Sequence, residues 1–233
     1  MVKIGITERG DAGLDLSWVD KLDEVDGAIL VTKFPTPPFV KLLEEFQDKL
    51  IAHITITGYG GTKIEPNVPK SDKVFFQFRK VLDILGSRKT VLRIDPIIPT
   101  PHGIDVAYKV FFESLDYPNH RLRISIMDNY FHVNRRFVDA GLPSFDYRFH
   151  AGYERRAKII SHFGDTAKIC GEPGFPSEGC VSYKDLDALG IPHNNDIPQG
   201  GQRRACTCLN IKTELLSNKK RCPYKCLYCY WKD

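Results

Sequence analysis

The first 169 residues contain no cysteine; all seven lie between Cys170 and Cys229. That distribution excludes a disulfide framework from most of the chain, and an odd count could not pair completely in any case. Long apolar runs are missing too: none of the 233 residues falls in a run long enough for a membrane-crossing helix. The opening MVKIGITERGDAG reads as a charged strand start and not as a signal peptide, so the expected location is the cytoplasm. No GxGxxG follows a candidate strand, which removes the usual dinucleotide-binding signature. Internal repeats, low-complexity tracts and an interdomain linker are absent as well. Strong charge is also lacking. A net charge of +4 permits contact with nucleic acid or another anion without requiring it.

What is present suits one folded unit. Apolar residues make up 42% of the chain, enough at this length to bury a substantial core. Candidate strands are 2–7, 27–33, 50–57, 89–98, 122–128 and 167–170. Between them, helical spacing of apolar residues covers 37–50, 71–86, 104–115 and 152–163. Ser71 is the expected cap of the second of these helices and Gly86 its stop. Strand, helix, strand, helix at this spacing implies a parallel sheet with right-handed crossovers. The expectation is an α/β fold, a partial or complete parallel (β/α) barrel over 1–169, with a cysteine-rich segment, 170–233, integrated with it. After Cys170 the pattern dissolves into GEPGFPSEGC and GIPHNNDIPQGGQRR. So long an irregular stretch needs something besides an apolar core to order it, and metal ligation would serve.

Polar residues gather where the expected strands stop. They are Thr7, Glu8, Arg9 and Asp11, then Thr32 and Lys33, then Thr55, Thr57, Gly58, Tyr59 and Glu65. Arg93 and Asp95 follow on the fourth strand, Asp128, Asn129 and Tyr130 after the fifth, and Cys170 and Glu172 at the sixth. In a parallel barrel these ends converge on one rim, where ligands bind. Arg93 and Asp95 also share a strand face, so pairing within a buried wall is the structural alternative.

The segment RCPYKCLYCYWKD carries Cys222, Cys226 and Cys229 at C-x3-C-x2-C spacing, with Tyr228 directly before the last cysteine. Structural zinc sites usually take four ligands from paired knuckles, and no fourth cysteine or histidine follows here. Three thiolates can hold three irons of a [4Fe–4S] cluster and leave one iron open, the mark of a reactive site.

This motif resembles the signature of the radical S-adenosylmethionine (SAM) superfamily. The resemblance implies that Cys222, Cys226 and Cys229 ligate the cluster and that SAM binds the open iron. It further implies reductive cleavage of SAM to a radical that abstracts a hydrogen atom from substrate, with a donor such as flavodoxin or ferredoxin supplying the electron. Most members carry the motif after the first barrel strand; here it stands in the C-terminal part of the sequence. TERGDAG, VTKFPTP, ITITGYGGTKIEPNVP, VLRIDPIIPT, ISIMDNY and RRACTC are similar to a bacterial family of unknown function with such a permuted CxxxCxxC motif. That family is distantly similar in turn to spore photoproduct lyase. By this resemblance Thr57, Gly58, Glu65, Arg93 and Asp95 are candidates for holding SAM or substrate. A Gly-Gly-Glu stretch of the kind many members use is absent; Gly60-Gly61 is a loose stand-in.

Cys170, Cys180, Cys206 and Cys208 suffice for one more metal site. The first reading is a second [4Fe–4S] cluster, the next a structural zinc, with His193 able to replace one thiol. The others are a hydrogen-donating thiol near the radical, or four buried thiols without a ligand. Basic residues cluster at 155–158, 200–204 and 218–222, and with Tyr224, Tyr230 and Trp231 they could dock a nucleic acid or nucleotide substrate. Solvated faces, or charges offsetting a cluster, are the plainer readings. Opposed to the enzyme stands a non-catalytic zinc- or iron–sulfur-binding module that binds nucleic acid.

Overall fold

Short runs of Ile, Leu and Val become strands where both their faces can be buried, and here they lie side by side. The computed structural model describes residues 2–117, 119–201, 205–217 and 222–231. Its strands are β1 (Ile4–Ile6), β2 (Gly27–Thr32), β3 (Leu50–Thr55), β4 (Thr90–Ile97), β5 (Arg121–Ile126), β6 (Ala167–Ile169) and β7 (Lys212–Glu214). They form one seven-stranded sheet in the order β6-β5-β4-β3-β2-β1-β7. Every pairing is parallel. Sequential order is that of a (β/α) barrel, but β6 and β7 stand at the two edges, so the barrel is partial and the complete form is excluded.

The connecting helices are α1 (Pro37–Glu45), α2 (Ser71–Leu85), α3 (Pro101–Ser114), α4 (Phe131–Asp139), α5 (Tyr153–Ser161) and α6 (Tyr183–Leu189). Pro37 and Pro38 open α1, where a missing N–H costs nothing. Gly86 ends α2 as expected, at φ 72° with its N–H on the Leu82 carbonyl at 2.9 Å. Ser71 does not cap it: Lys70 holds the cap position and Ser71 is already helical. Helix α3 starts three residues earlier than expected, because Thr100 Oγ1 accepts the Gly103 N–H at 3.1 Å.

Side-chain alternation divides the sheet into two faces. On the outer face Ala28, Leu30, Ala52, Ile54, Leu92 and Ile94 pack with Phe39, Leu43, Phe75, Phe78, Val110 and Ile159 of the helices. On the inner face the register aligns Ile6, Ile29 and Ile51 in one row. Val181, Leu186 and Leu209 cover that row together with Cys180 and Cys208. The stretch after Cys170 is therefore the lid of the inner face. It is less irregular than its composition implies: α6 carries a Ser182–Asp185 capping box, and β7 pairs with the outer edge of β1. A third cluster joins Tyr59, Val68, Ile98, Met127, Val133 and Phe137 at the C-terminal ends of the strands to Tyr224, Cys226 and Tyr228.

Candidate metal centres

The segment 222–231 lies on the C-terminal rim of the sheet, and its local turns draw the three thiols together. Lys225 sits at φ 52°, and its N–H bonds the Cys222 carbonyl at 3.1 Å. The Cys229 N–H bonds the Cys226 carbonyl at 3.2 Å. Two short turns in succession thus bend the chain around one point. Leu227 N–H reaches the Ile64 carbonyl at 2.9 Å, and Asn67 Nδ2 donates to the Pro223 carbonyl at 2.7 Å. From the other side Arg136 of α4 donates to the carbonyls of Cys229 and Trp231 at 2.6 and 2.7 Å. These six hydrogen bonds, four from backbone or amide N–H groups and two from the Arg136 guanidinium, hold the loop.

Beneath the loop lies a charged group contributed by three strand ends. Tyr228 Oη donates to Glu65 Oε1, and Lys33 Nζ donates to the same oxygen at 2.7 Å. Lys33 also stands 5.1 Å from the Tyr228 ring centroid. Its backbone N–H bonds Asp11 Oδ2 at 2.7 Å, while Asp11 Oδ1 accepts from Thr32 Oγ1 at 2.6 Å and the Gly13 N–H at 3.0 Å. Burial opposes the Lys33 charge, but Glu65, Cys226 and Asp95 together outweigh it and raise its pKa. Burial pushes the Asp11 carboxyl up to about 6 despite its hydrogen bonds. Burial also pushes the Cys226 thiol up to about 12 and Cys222 up to about 11, so both are protonated in the neutral range.

The other four thiols gather on the inner face. Cys170 Sγ lies 3.6 Å from Cys180 Sγ, and the Cys180 N–H donates to Cys208 Sγ at 3.1 Å. Acting on one another, these thiols lower the pKa of Cys180 and Cys206, the latter to about 6, and raise that of Cys170 and Cys208. His193 is not among them; its Nε2 meets Asp187 at 3.1 Å. Among the described residues no three His, Cys, Asp or Glu side chains already enclose a metal position.

Arginines face this group. Arg93, on β4, pairs with Asp95, which also accepts from Ser125 Oγ. Arg123, on β5, is 1% exposed and bonds Glu178 at 2.9 Å. Cys180 and Cys170 both act electrostatically on Arg93 and on Arg123, and the net effect of their surroundings raises both guanidinium pKa values despite burial. Yet among the described residues Arg93 Nε, Arg123 Nε and Nη1, and both ring nitrogens of His53 have no hydrogen-bond partner. His53 is fully buried on β3, and burial with the arginines beside it depresses its pKa strongly.

The expected rim residues therefore divide. Glu65 lies under the terminal thiols, whereas Arg93 and Asp95 lie toward Cys170 and Cys180, with Asp95 close enough to Lys33 to affect it. Thr57 is buried, 3% exposed, and bonds the Tyr59 N–H. Gly58 has φ 88°, and a Cβ there would meet Val106 of α3 at 2.4 Å, so packing accounts for the glycine. Glu172 is a clamp, accepting from the Ile126 N–H at 2.8 Å and standing 3.5 Å from Arg156. The basic stretch at 155–158 is solvated only in part: Lys158 is exposed and Arg155 half-exposed, whereas Arg156 is buried. Most of the stretches at 200–204 and 218–222 lies outside the described residues. Tyr224 is buried, which removes it as a stacking platform; Tyr230 and Trp231 are exposed. Lys33 stands among the strand-end residues named from the sequence, whereas Arg123 and His53 were not singled out, although a mid-strand arginine is visible in LRISI.

Residues 17–231 match the profile of a family described as a domain of unknown function, DUF1848, and the chain belongs to that family. No curated protein matches it. Among the described residues no helix is long and apolar enough to cross a membrane.

Proposed function

We propose that this protein is a radical SAM enzyme in which Cys222, Cys226 and Cys229 ligate a [4Fe–4S] cluster and SAM takes the open iron. The observation that carries this reading is the place of the thiol loop in the sheet. The loop follows β7, and β7 lies beside the outer edge of β1. In space the loop thus extends from the first strand of the row, the position after which the superfamily's motif usually comes. On this reading the sequence is permuted while the spatial arrangement is kept.

The residues around the thiols fit such a group. Cys226 is buried, and the Lys33 ammonium acts on it, so positive charge is at hand for the net negative charge of a thiolate-bound cluster. Glu65 holds Lys33 and Tyr228 in place, and Asp11 fixes the Lys33 backbone. When bound, the reduced cluster supplies the electron that cleaves SAM to the radical that takes a hydrogen atom from substrate. Thr57, Gly58, Arg93 and Asp95 stay as candidates for SAM or substrate contact. Tyr230 and Trp231, 38% and 43% exposed with ring centroids 5.4 Å apart, offer a surface on which a nucleobase can stack. A nucleic acid or nucleotide is accordingly the proposed substrate class, in a lyase- or transferase-type reaction. Flavodoxin or ferredoxin is the proposed electron donor, in the cytoplasm, where thiols stay reduced.

Anaerobic purification with iron and sulfide quantification tests this, together with electron paramagnetic resonance with and without SAM. The expected result is a cluster signal that SAM perturbs, with 5′-deoxyadenosine formed under dithionite. A protein without iron that leaves SAM intact would return the reading to a non-catalytic metal-binding module.

A further inference from the structure

The inner-face thiols lie too close together for the cluster that their number first brings to mind. We propose that Cys170, Cys180, Cys206 and Cys208 bind a single zinc ion in a closed tetrathiolate site, separate from the terminal thiols and facing Arg93 and Arg123. Zinc–sulfur bonds of about 2.3 Å in a tetrahedron put sulfurs about 3.8 Å apart. Cys170 Sγ and Cys180 Sγ are separated by 3.6 Å, and Cys208 Sγ accepts the Cys180 N–H at 3.1 Å. In a four-iron cubane each thiolate sits on its own iron, and the ligand sulfurs do not touch. A sulfur pair at the spacing of zinc ligands, with a third sulfur against the backbone of the same residue, therefore favours one ion over a cluster. Cys170 and Cys206, the two half-buried members of the group, are the side chains that would have to turn to close the set.

Charge points the same way. Four thiolates on a divalent ion carry a net charge of −2. Two guanidinium groups that act electrostatically on Cys170 and Cys180 would offset that charge. Without such an anion, Arg123 is buried with Nε and Nη1 unpartnered, and Arg93 with Nε unpartnered, an expensive arrangement. The Cys180 N–H, already on Cys208 Sγ at 3.1 Å, adds a backbone donor to one sulfur. The backbone is also shaped for close approach: a Cβ on Gly179 would meet the Cys208 backbone at 2.5 Å, and one on Gly201 would meet Cys206 Sγ at 2.1 Å. With all four positions filled by protein, the ion has no open site for substrate. Its role is to order the segment that lids the inner face.

The test is metal analysis of the full chain purified anaerobically. Wild type is expected to carry one zinc per chain. Cys180→Ala and Cys208→Ser should lose that zinc, while Cys226→Ala should keep it and lose iron instead. To separate ligand loss from unfolding, wild-type protein is also exchanged with Co²⁺, which should give the intense visible bands of a tetrahedral ion and thiolate-to-cobalt charge transfer. Absence of zinc with a second complement of iron and sulfide would overturn the proposal. So would a Cys170–Cys180 disulfide, four thiols that alkylate freely in the native protein, or a weak octahedral cobalt spectrum.

Discussion

Tyr228 and Glu65, 163 residues apart in sequence, share a hydrogen bond beneath the terminal thiol loop, and Lys33 shares the same carboxylate oxygen. One buried carboxylate thereby ties the loop to the ends of two strands. Glu65→Ala would leave Lys33 buried without its partner, at a cost of about 3–5 kcal/mol. Tyr228→Phe removes one hydrogen bond and should cost about 1–2 kcal/mol. Urea denaturation of the metal-free chains should show that order; a Tyr228→Phe loss equal to that of Glu65→Ala would show that the lysine does not depend on the pair.

Cys226 holds its proton more tightly than an exposed thiol because it is buried. Metal uptake must displace that proton and those of its neighbours, so affinity should rise with pH by about tenfold per unit for each proton released. The sign follows from pKa values near 11 and 12 for Cys222 and Cys226, which keep both thiols protonated throughout the neutral range. Cadmium titration of the Cys180→Ala chain at several pH values reads this slope at the terminal thiols. A flat profile would mean that the thiols are already ionised.

Gly179 has the Cys208 backbone where a Cβ would stand, at 2.5 Å. Gly179→Ala must therefore shift backbone and not merely a side chain, with an expected cost of about 1–3 kcal/mol. Zinc content should fall with it while iron at the terminal thiols persists. Gly152, with nothing near its missing Cβ, is the control, and Gly152→Ala should keep both metals.

Asp11 is buried, and its folded-state pKa of about 6 lies above the ordinary 3.8. Between those values the folded chain binds the proton more tightly than the unfolded one, so this group favours folding at low pH and loses that contribution as pH rises through 6. The stability of wild type relative to Asp11→Asn should thus be about 1 kcal/mol greater at pH 5 than at pH 7. Chemical denaturation of both chains at the two pH values checks the sign; an unchanged difference would place the Asp11 pKa near its usual value.

Six of the seven strands and four of the six helices were legible in the sequence, because Ile, Leu and Val recur there at spacings that only one kind of element buries. β7 was not, since Lys212-Thr213-Glu214 has no buried residue and is a strand only through its pairing with β1. Helix α4 buries just Val133 and Phe137, and α6 spans seven residues, so neither repeats its pattern long enough to be read. The terminal cysteines were legible from spacing alone. Lys33 was legible as a strand-end residue, but its place below them was not: Glu65 comes to it from the loop after β3, a meeting made by the fold. Arg156 illustrates the reverse error, a residue of a basic run that is buried, donating to the Ala151 and Pro173 carbonyls at 2.8 and 2.7 Å.

The pairing of β7 with β1 also sets an order of events during synthesis. β1 leaves the ribosome first among the strands and β7 last, yet the Leu215 N–H must find the Ile6 carbonyl, at 2.9 Å in the finished sheet. Until the residues from β1 through β7 have been made, the outer edge of β1 stays open, with the loop for the terminal thiols still unmade. A nascent chain can build six strands and their outer helices before β7 exists. On the proposed reading the terminal thiols take up their metal only after β7 is made, when the sheet that must receive the loop already exists.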